Sequence, residues 1–285
     1  MLQLALSALL EGTLEKPDQV VVVNGGDAGA DNIVNSFIGF EGIEVKLVKT
    51  VNKSLAASRN VGLPYCTGDI ISLTDDDAEV LPDWVTWMKH AHREHPEAGA
   101  VGGLVIGTGT NTLVGKASDL VTFPSWPSPC YVRTLPGVNI SYKREVIEKV
   151  GLQDETLFRG EDVDFNWRVK QLGYEIYFDP QIKVYHHHRT TLVRFLNQHY
   201  MYGRAYFLVR RKWPEMYCIY PHTFHRAKDL AKSINAVIGP FYQPFSQLRK
   251  MNTNFGDCLL LWMLLFSGGL SWRLGMLAQR VQQTD

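Results

Sequence analysis

Four consecutive valines, Val20 to Val23, constrain the chain more than any other stretch. The run Gln19-Val20-Val21-Val22-Val23 has no polar alternation, so both of its faces need covering, as in a strand of a parallel α/β sheet. It stops at Asn24-Gly25-Gly26-Asp27, a glycine-rich strand-end loop. Val45 to Val48 reads as a second strand and Asp69-Ile70-Ile71-Ser72-Leu73 as a third, which closes on Thr74-Asp75-Asp76-Asp77. Open parallel sheets bind ligands at the carboxyl ends of their strands, so Asn24 and Asp75 to Asp77 are expected to line one crevice.

Three adjacent carboxylates repel one another, and Ala78, Glu79 and Val80 offer no neutralising charge. A hard divalent cation with oxygen ligands relieves that repulsion, with phosphate oxygens completing its shell. The plain alternative is a solvated acidic turn before a helix at Trp84. A second cluster, Gly160-Glu161-Asp162-Val163-Asp164, opens a helix whose N-terminal dipole favours negative charge. Arg168 follows Asp164 at helical spacing. One metal-holding cluster plus one separately held carboxylate is what metal-assisted group transfer requires: the ion stabilises a phosphate leaving group and the carboxylate takes a proton from an incoming hydroxyl.

At 285 residues the chain can bury a sizeable core, and 29 basic against 29 acidic residues leave no net charge. That balance speaks against nucleic acid as a partner. Arginines and lysines such as Arg189, Arg210, Arg211, Lys212, Arg226, Lys228, Lys232, Lys250, Arg273 and Arg280 crowd the C-terminal third, which points to an anionic membrane surface. Cys66, Cys130, Cys218 and Cys258 have no metal-ligand spacing and read as reduced thiols of a cytosolic protein. Met1 to Leu10 lacks the basic start of a signal peptide and reads as an amphipathic helix. The apolar run Cys258 to Phe266 is broken by Ser267-Gly268-Gly269 and resumes to Leu277, which suits a helical hairpin at an interface better than a membrane span. A buried terminal core helix is the alternative.

Further strands are expected at Gly99 to Val105, Val138 to Tyr142, Tyr174 to Phe178 and Ile182 to Tyr185, with helices at Ser54 to Gly62, Trp84 to His95, Arg144 to Val150 and Val163 to Leu172. Residues 119–136 read as an aromatic, proline-punctuated loop carrying Phe123, Trp126 and Tyr131, side chains that either stack on sugar faces or cover the core. His186-His187-His188 ends a strand near the crevice, and alternation places His186 and His188 on one face.

Taken in order, these segments resemble the family 2 glycosyltransferases with a GT-A fold. Ser58-Arg59-Asn60-Val61-Gly62, Thr67-Gly68-Asp69 and Asp75-Asp76-Asp77 resemble the family's ARNxG, tGD and DxD elements. Leu135 to Ile140 with Lys143-Arg144 resembles its acceptor-side strand and helix, and Gly160 to Asp164 with Arg168 and Gly173-Tyr174 its catalytic ED helix. The resemblance implies a Rossmann-like, mostly parallel sheet flanked by helices, a catalytic domain over residues 1–190 and a helical, membrane-associated extension over 191–285.

It also implies inverting transfer of a sugar from a nucleoside diphosphate sugar to a hydroxyl of a carbohydrate or lipid-linked acceptor, in polysaccharide or glycolipid assembly. Mn²⁺ or Mg²⁺ would rest on Asp77, Asp75 and His186, an imidazole favouring Mn²⁺. Asp162 would be the general base beside Glu161, with Asn24, Arg59, Asp75 and Asp76 on the donor side and Asn139, Trp126 and Arg168 on the acceptor side. The expected setting is cytoplasmic, peripheral at the inner face of the cell membrane, with a homo-oligomer left open. Two departures stand out: the chain starts after the family's opening strand and PxYN-type loop, and Asn24 replaces an aspartate. They motivate an alternative, a degenerate glycosyltransferase that binds a nucleotide or partner without turnover. A sugar nucleotidyltransferase would need a glycine- and lysine-rich triphosphate loop, which is not visible.

Overall fold

The valine run forms β1 (Gln19–Asn24), which pairs in parallel with β2 (Glu44–Lys49). The structure, a computed structural model, describes residues 1–188, 190–216, 227–249 and 254–282, with backbone only for 227–237. Arg189, Cys218, Arg226 and Lys250 lie outside the described residues, as do the side chains of Lys228 and Lys232.

The chain divides into two compact units, one of residues 1–106 and 123–187, the other of residues 107–122 and 188–285. In the first, α1 (Leu2–Leu10) packs against α2 (Ala28–Asn35), which lies on β1 and β2, and Asp27 caps α2 by accepting from the Gly29 amide. Ser54 caps α3 (Leu55–Gly62) in the same way through the Ala57 amide. Then follow β3 (Ile70–Leu73), β4 (Ala78–Val80), α4 (Trp84–Glu94), β5 (Ala98–Thr108), α5 (Leu113–Thr122), β6 (Cys130–Val132), β7 (Ile140–Lys143), α6 (Arg144–Val150), α7 (Glu161–Gln171) and β8 (Glu175–His187). The segment with α5 belongs to the second unit, although it falls within the stretch expected to be catalytic.

Two sheets result. β1 and β2 form one, and the order β3-β7-β5-β8-β4, with β6 on β8, forms the other. The sheet is mixed where a mostly parallel one was expected, because β7 runs antiparallel to β3 and β5, and β4 and β6 run antiparallel to β8. Helices cover both faces. Leu6, Leu9, Trp84 and Met88 join Val101, Ile182 and Val184 in one core, while Val146, Phe165 and Val169 join Ala100, Ile140 and Phe178 in the other. Val101 and Ala100 face opposite cores, as strand alternation requires. The two strands expected at 174–178 and 182–185 are one continuous strand, in which Asp179 Oδ1 accepts from the Gln181 amide. Facing swaps there, since Phe178 and Ile182 enter different cores.

In the second unit α8 (Leu192–Lys212), α9 (Ala227–Leu248) and α10 (Phe255–Gln282) pack together. The expected hairpin is corrected to a single helix running through Ser267-Gly268-Gly269. Those glycines serve packing: a Cβ on Gly268 would meet the Phe195 ring at 3.0 Å. Close contact continues along the pair, because a Cβ on Gly275 would lie 1.9 Å from the Tyr200 carbonyl oxygen, and one on Gly203 1.7 Å from that of Trp272. Residues 119–136, expected to be a loop, include the end of α5 and all of β6.

Candidate functional site

The acidic triplet occupies the turn between β3 and β4, and the register of β4 on β8 decides what it meets. Ala78 pairs with His186, and the His187 amide donates to the Asp77 carbonyl at 3.3 Å. His186 Nε2 therefore sits 3.3 Å from Asp77 Oδ1. Asp75, Asp77 and His186 each present one ligand atom, all within 4.8 Å of one another. Two carboxylates and an imidazole at that spacing fit a divalent ion of the Mn²⁺ or Mg²⁺ kind. Asp76 is exposed and is not a member of this group. Burial pushes the Asp75 carboxyl above its ordinary range; Arg59 opposes, Asp77 adds to the rise, His186 opposes and Asp162 adds.

Arg59 links the two acidic clusters. From α3 its guanidinium reaches Asp75 at 3.3 Å, Glu161 at 3.2 Å and the Gly137 carbonyl at 3.2 Å. It is thus an internal strut as well as the expected donor-side cation. Glu161 is buried, and burial, then the neighbouring Asp162 charge, raise its carboxyl to about 7 against the pull of Arg59. Asp162 is half-buried at the start of α7, where the left-handed Gly160 turns the chain into the helix. Its Oδ2 accepts from the Gly137 amide at 3.0 Å and its Oδ1 from the Val163 amide at 2.8 Å. These donors stabilise the charged carboxylate and aim it.

Four expected contacts are spent inside the fold. Asn24 accepts from the Gly26 and Asp27 amides and donates to the Asp27 carbonyl and Asp31 Oδ1, so its amide shapes the glycine loop. Asn139 has no exposed surface: it accepts from Trp84 Nε1 at 2.8 Å and donates to the Leu104 and Ile182 carbonyls. It ties the core together and cannot touch an acceptor. Arg168 pairs with the buried Asp164 at 3.0 Å and donates to the Val150 and Leu152 carbonyls, anchoring the loop after α6. Trp126 stands edge-on to Phe178 at 4.9 Å and covers the core.

Other residues gain roles. The Phe123 ring meets that of His186 at 5.0 Å, which brings the aromatic segment to the metal-type cluster. Each of the three histidines has a carboxylate: His186 has Asp77, His187 has Glu79 at 3.0 Å and His188 has Asp119 at 3.2 Å. Gly137 serves through its backbone, and Asn60 latches residues 153–155 by bonds to Gln153 N and O and to Glu155. Asn60 was visible in the SRN run; Gly137 left no signal beyond its place in Leu135-Pro136-Gly137.

Comparisons with known proteins bear on the family and the fold. A family model described as Glycosyl transferase family 2 matches residues 1–151. A glucosyl-dolichyl phosphate glucuronosyltransferase of Haloferax volcanii is 27% identical over 202 residues, 64% of this chain and 62% of the relative. A pre-mycofactocin glycosyltransferase of Mycobacterium tuberculosis is 28% identical over 201 residues, 65% of this chain and 41% of that protein. The chain thus spans less than two thirds of the length of these curated relatives. Among solved structures, the mannosyltransferase PcManGT of Pyrobaculum calidifontis, in complex with GDP-Man and Mn²⁺, has a TM-score of 0.66 at 16% identity, covering 98% of this chain and 83% of that one. S. aureus TarS has a TM-score of 0.58 at 14% identity, covering 99% and 88%. These likenesses show a shared fold.

Proposed function

The chain belongs to glycosyl transferase family 2, and on that premise we propose that it moves a sugar, with inversion, from a nucleoside diphosphate sugar to a hydroxyl acceptor. The observation that carries this reading is the convergence of Asp75, Asp77 and His186 within 4.8 Å, with Arg59 joining Asp75 to the Glu161–Asp162 pair. Asp77, Asp75 and His186 would hold Mn²⁺ or Mg²⁺, which when bound supplies charge neutralisation for the departing diphosphate. Asp162 takes the proton of the acceptor hydroxyl, whose oxygen attacks the anomeric carbon as the bond to the diphosphate breaks. Arg59 holds the two acidic clusters in register and adds positive charge on the donor side.

A lipid-linked acceptor, in polysaccharide or glycolipid assembly, is supported by the relative named for a dolichyl phosphate substrate. Peripheral attachment at the inner membrane face is the reading that the apolar exposed side of α10 supports. By length and composition this helix could cross a membrane. One side of it, with Leu261 and Leu265, packs into the helical unit, whereas Leu260, Met263, Leu270, Leu274, Leu277 and Val281 recur along its exposed side. A helix committed on one side to its own unit and apolar on the other suits the plane of an anionic interface.

The test is turnover of a panel of nucleoside diphosphate sugars with Mn²⁺ or Mg²⁺, read as donor hydrolysis and as transfer. Metal-dependent turnover of at least one donor is expected. Nucleotide binding without any turnover would favour the non-catalytic alternative. Flotation with anionic vesicles, weakened by Leu274→Glu and by high salt, checks the attachment.

A further inference from the structure

The apolar side of α10 carries one arginine, and the helix beside it makes room for that side chain. Leu270, Leu274 and Leu277 are exposed on this stretch of α10, as are Phe241, Tyr242 and Phe245 on the adjoining α9. Arg273 falls between Leu270 and Leu277 at helical spacing and is half-buried. Its guanidinium folds back along its own helix, where Nη1 donates to the Gly269 carbonyl at 3.0 Å and the Trp272 ring lies 5.7 Å away. Nη2 reaches α9 instead. A Cβ on Gly239 would stand 2.9 Å from Arg273 Nη2 and 3.0 Å from Gln243 Nε2. Two nitrogen donors, one from each helix, thus border a notch that Gly239 keeps clear of a side chain. Burial lowers the Arg273 pKa and Tyr242 offsets part of that, so the charge is held at some cost.

We infer that this notch holds the phosphate of a membrane lipid headgroup, with the lipid's acyl chains along Leu270, Leu274 and Leu277. The inference rests on the attachment of α10 to an anionic interface and names what would anchor the helix there.

The surroundings decide the chemistry. A guanidinium fork matches an oxyanion and binds it by charge-assisted hydrogen bonds. A carboxylate spends both oxygens on the fork, whereas a phosphate has further oxygens for the Gln243 amide across the notch. Free phosphate would leave water for a rim of leucines and aromatic rings and gain nothing from them. A lipid brings the apolar part that covers this rim, and an arginine with its stem among apolar side chains keeps its head at the phosphate level of a bilayer. One headgroup held by Arg273 and Gln243 would also tie α9 to α10.

The experiment titrates the full chain with dioctanoyl phosphatidic acid, inorganic phosphate and octanoate by calorimetry, and measures its flotation with phosphatidic acid vesicles alongside. The wild-type chain is expected to float and to bind the short-chain phospholipid well ahead of the other two probes. Arg273→Gln and Gly239→Ala should each weaken that binding by about tenfold or more, the worth of hydrogen bonds to a charged group. Gly239→Ala does so without a change of charge, because its methyl group only displaces the ends of two flexible side chains. Arg211→Gln removes the same charge from an exposed position of α8 and should leave the affinity as it was. Equal affinity in Arg273→Gln and Arg211→Gln overturns the inference, and if both still float, the membrane reading stands without it. Equal binding of octanoate or of inorganic phosphate by the wild-type chain overturns it as well. A wild-type chain that ignores the vesicles removes the membrane reading and the inference together.

Discussion

The two acidic clusters hold the same residue types and reach opposite states. In the helical cluster every carboxylate has a partner supplied by the fold: Arg168 meets Asp164, Arg59 meets Glu161, and the backbone amides of Gly137 and Val163 meet Asp162. In the turn cluster Arg59 reaches only Asp75, and Asp75, Asp77 and His186 converge on one point. Like charges are tolerated in the first because the helix start and two arginines neutralise them. The second retains its convergent ligand atoms for a cation. On the proposed reading, this difference gives proton transfer to one cluster and ion holding to the other.

Breaking the turn cluster should have the largest effect. Asp77→Ala is expected to lower metal-dependent turnover by roughly 10³-fold, about 4 kcal/mol of transition-state stabilisation. Initial rates against metal concentration check it, with circular dichroism unchanged because the substitution relieves repulsion. Breaking the helical cluster at its functional member is milder and different in kind. Asp162→Asn should cost roughly 10²-fold or more in transfer, the worth of a general base, while nucleotide binding persists. Comparing the Kd of the nucleotide with kcat separates the two roles.

The strut between the clusters comes next. Arg59→Ala leaves Glu161 and Asp75 without their cation and should cost about 3 kcal/mol of stability by urea unfolding. Arg59→Lys should recover only part of it, because one ammonium cannot serve Asp75, Glu161 and the Gly137 carbonyl together.

The smallest effect is pH dependence. Burial, and then the charge of Asp162, raise the Glu161 carboxyl from 4.5 to about 7, so the folded state holds its proton more tightly than the unfolded chain does. Its contribution to stability is complete below 4.5 and is lost as pH rises through 7, a change of roughly 1 kcal/mol or more. Glu161→Gln should flatten that slope, read as Tm between pH 5 and pH 8.

Both acidic clusters, the valine strand and most helices were legible in the sequence because their signals are local: periodicity, caps and charge runs. Legibility failed where a partner lies far along the chain. Nothing near Asn139 announces Trp84 or Ile182, and nothing near Arg168 announces the Val150 carbonyl, so buried ties passed for surface contacts. The Ser267-Gly268-Gly269 break misled for the same reason, since the Phe195 and His199 rings of α8 that crowd Gly268 are remote in sequence. His186 stood out only as one of three histidines, and the register of β4 on β8 selects it.

Calorimetric titration of Mn²⁺ with a nucleoside diphosphate into wild-type, Asp77→Ala, His186→Ala and Asp162→Asn proteins tests the division of labour most directly. The account predicts one ion per wild-type chain, binding abolished in Asp77→Ala, weakened in His186→Ala and retained in Asp162→Asn. Wild-type affinity in Asp77→Ala, or an equal loss in Asp162→Asn, would contradict it.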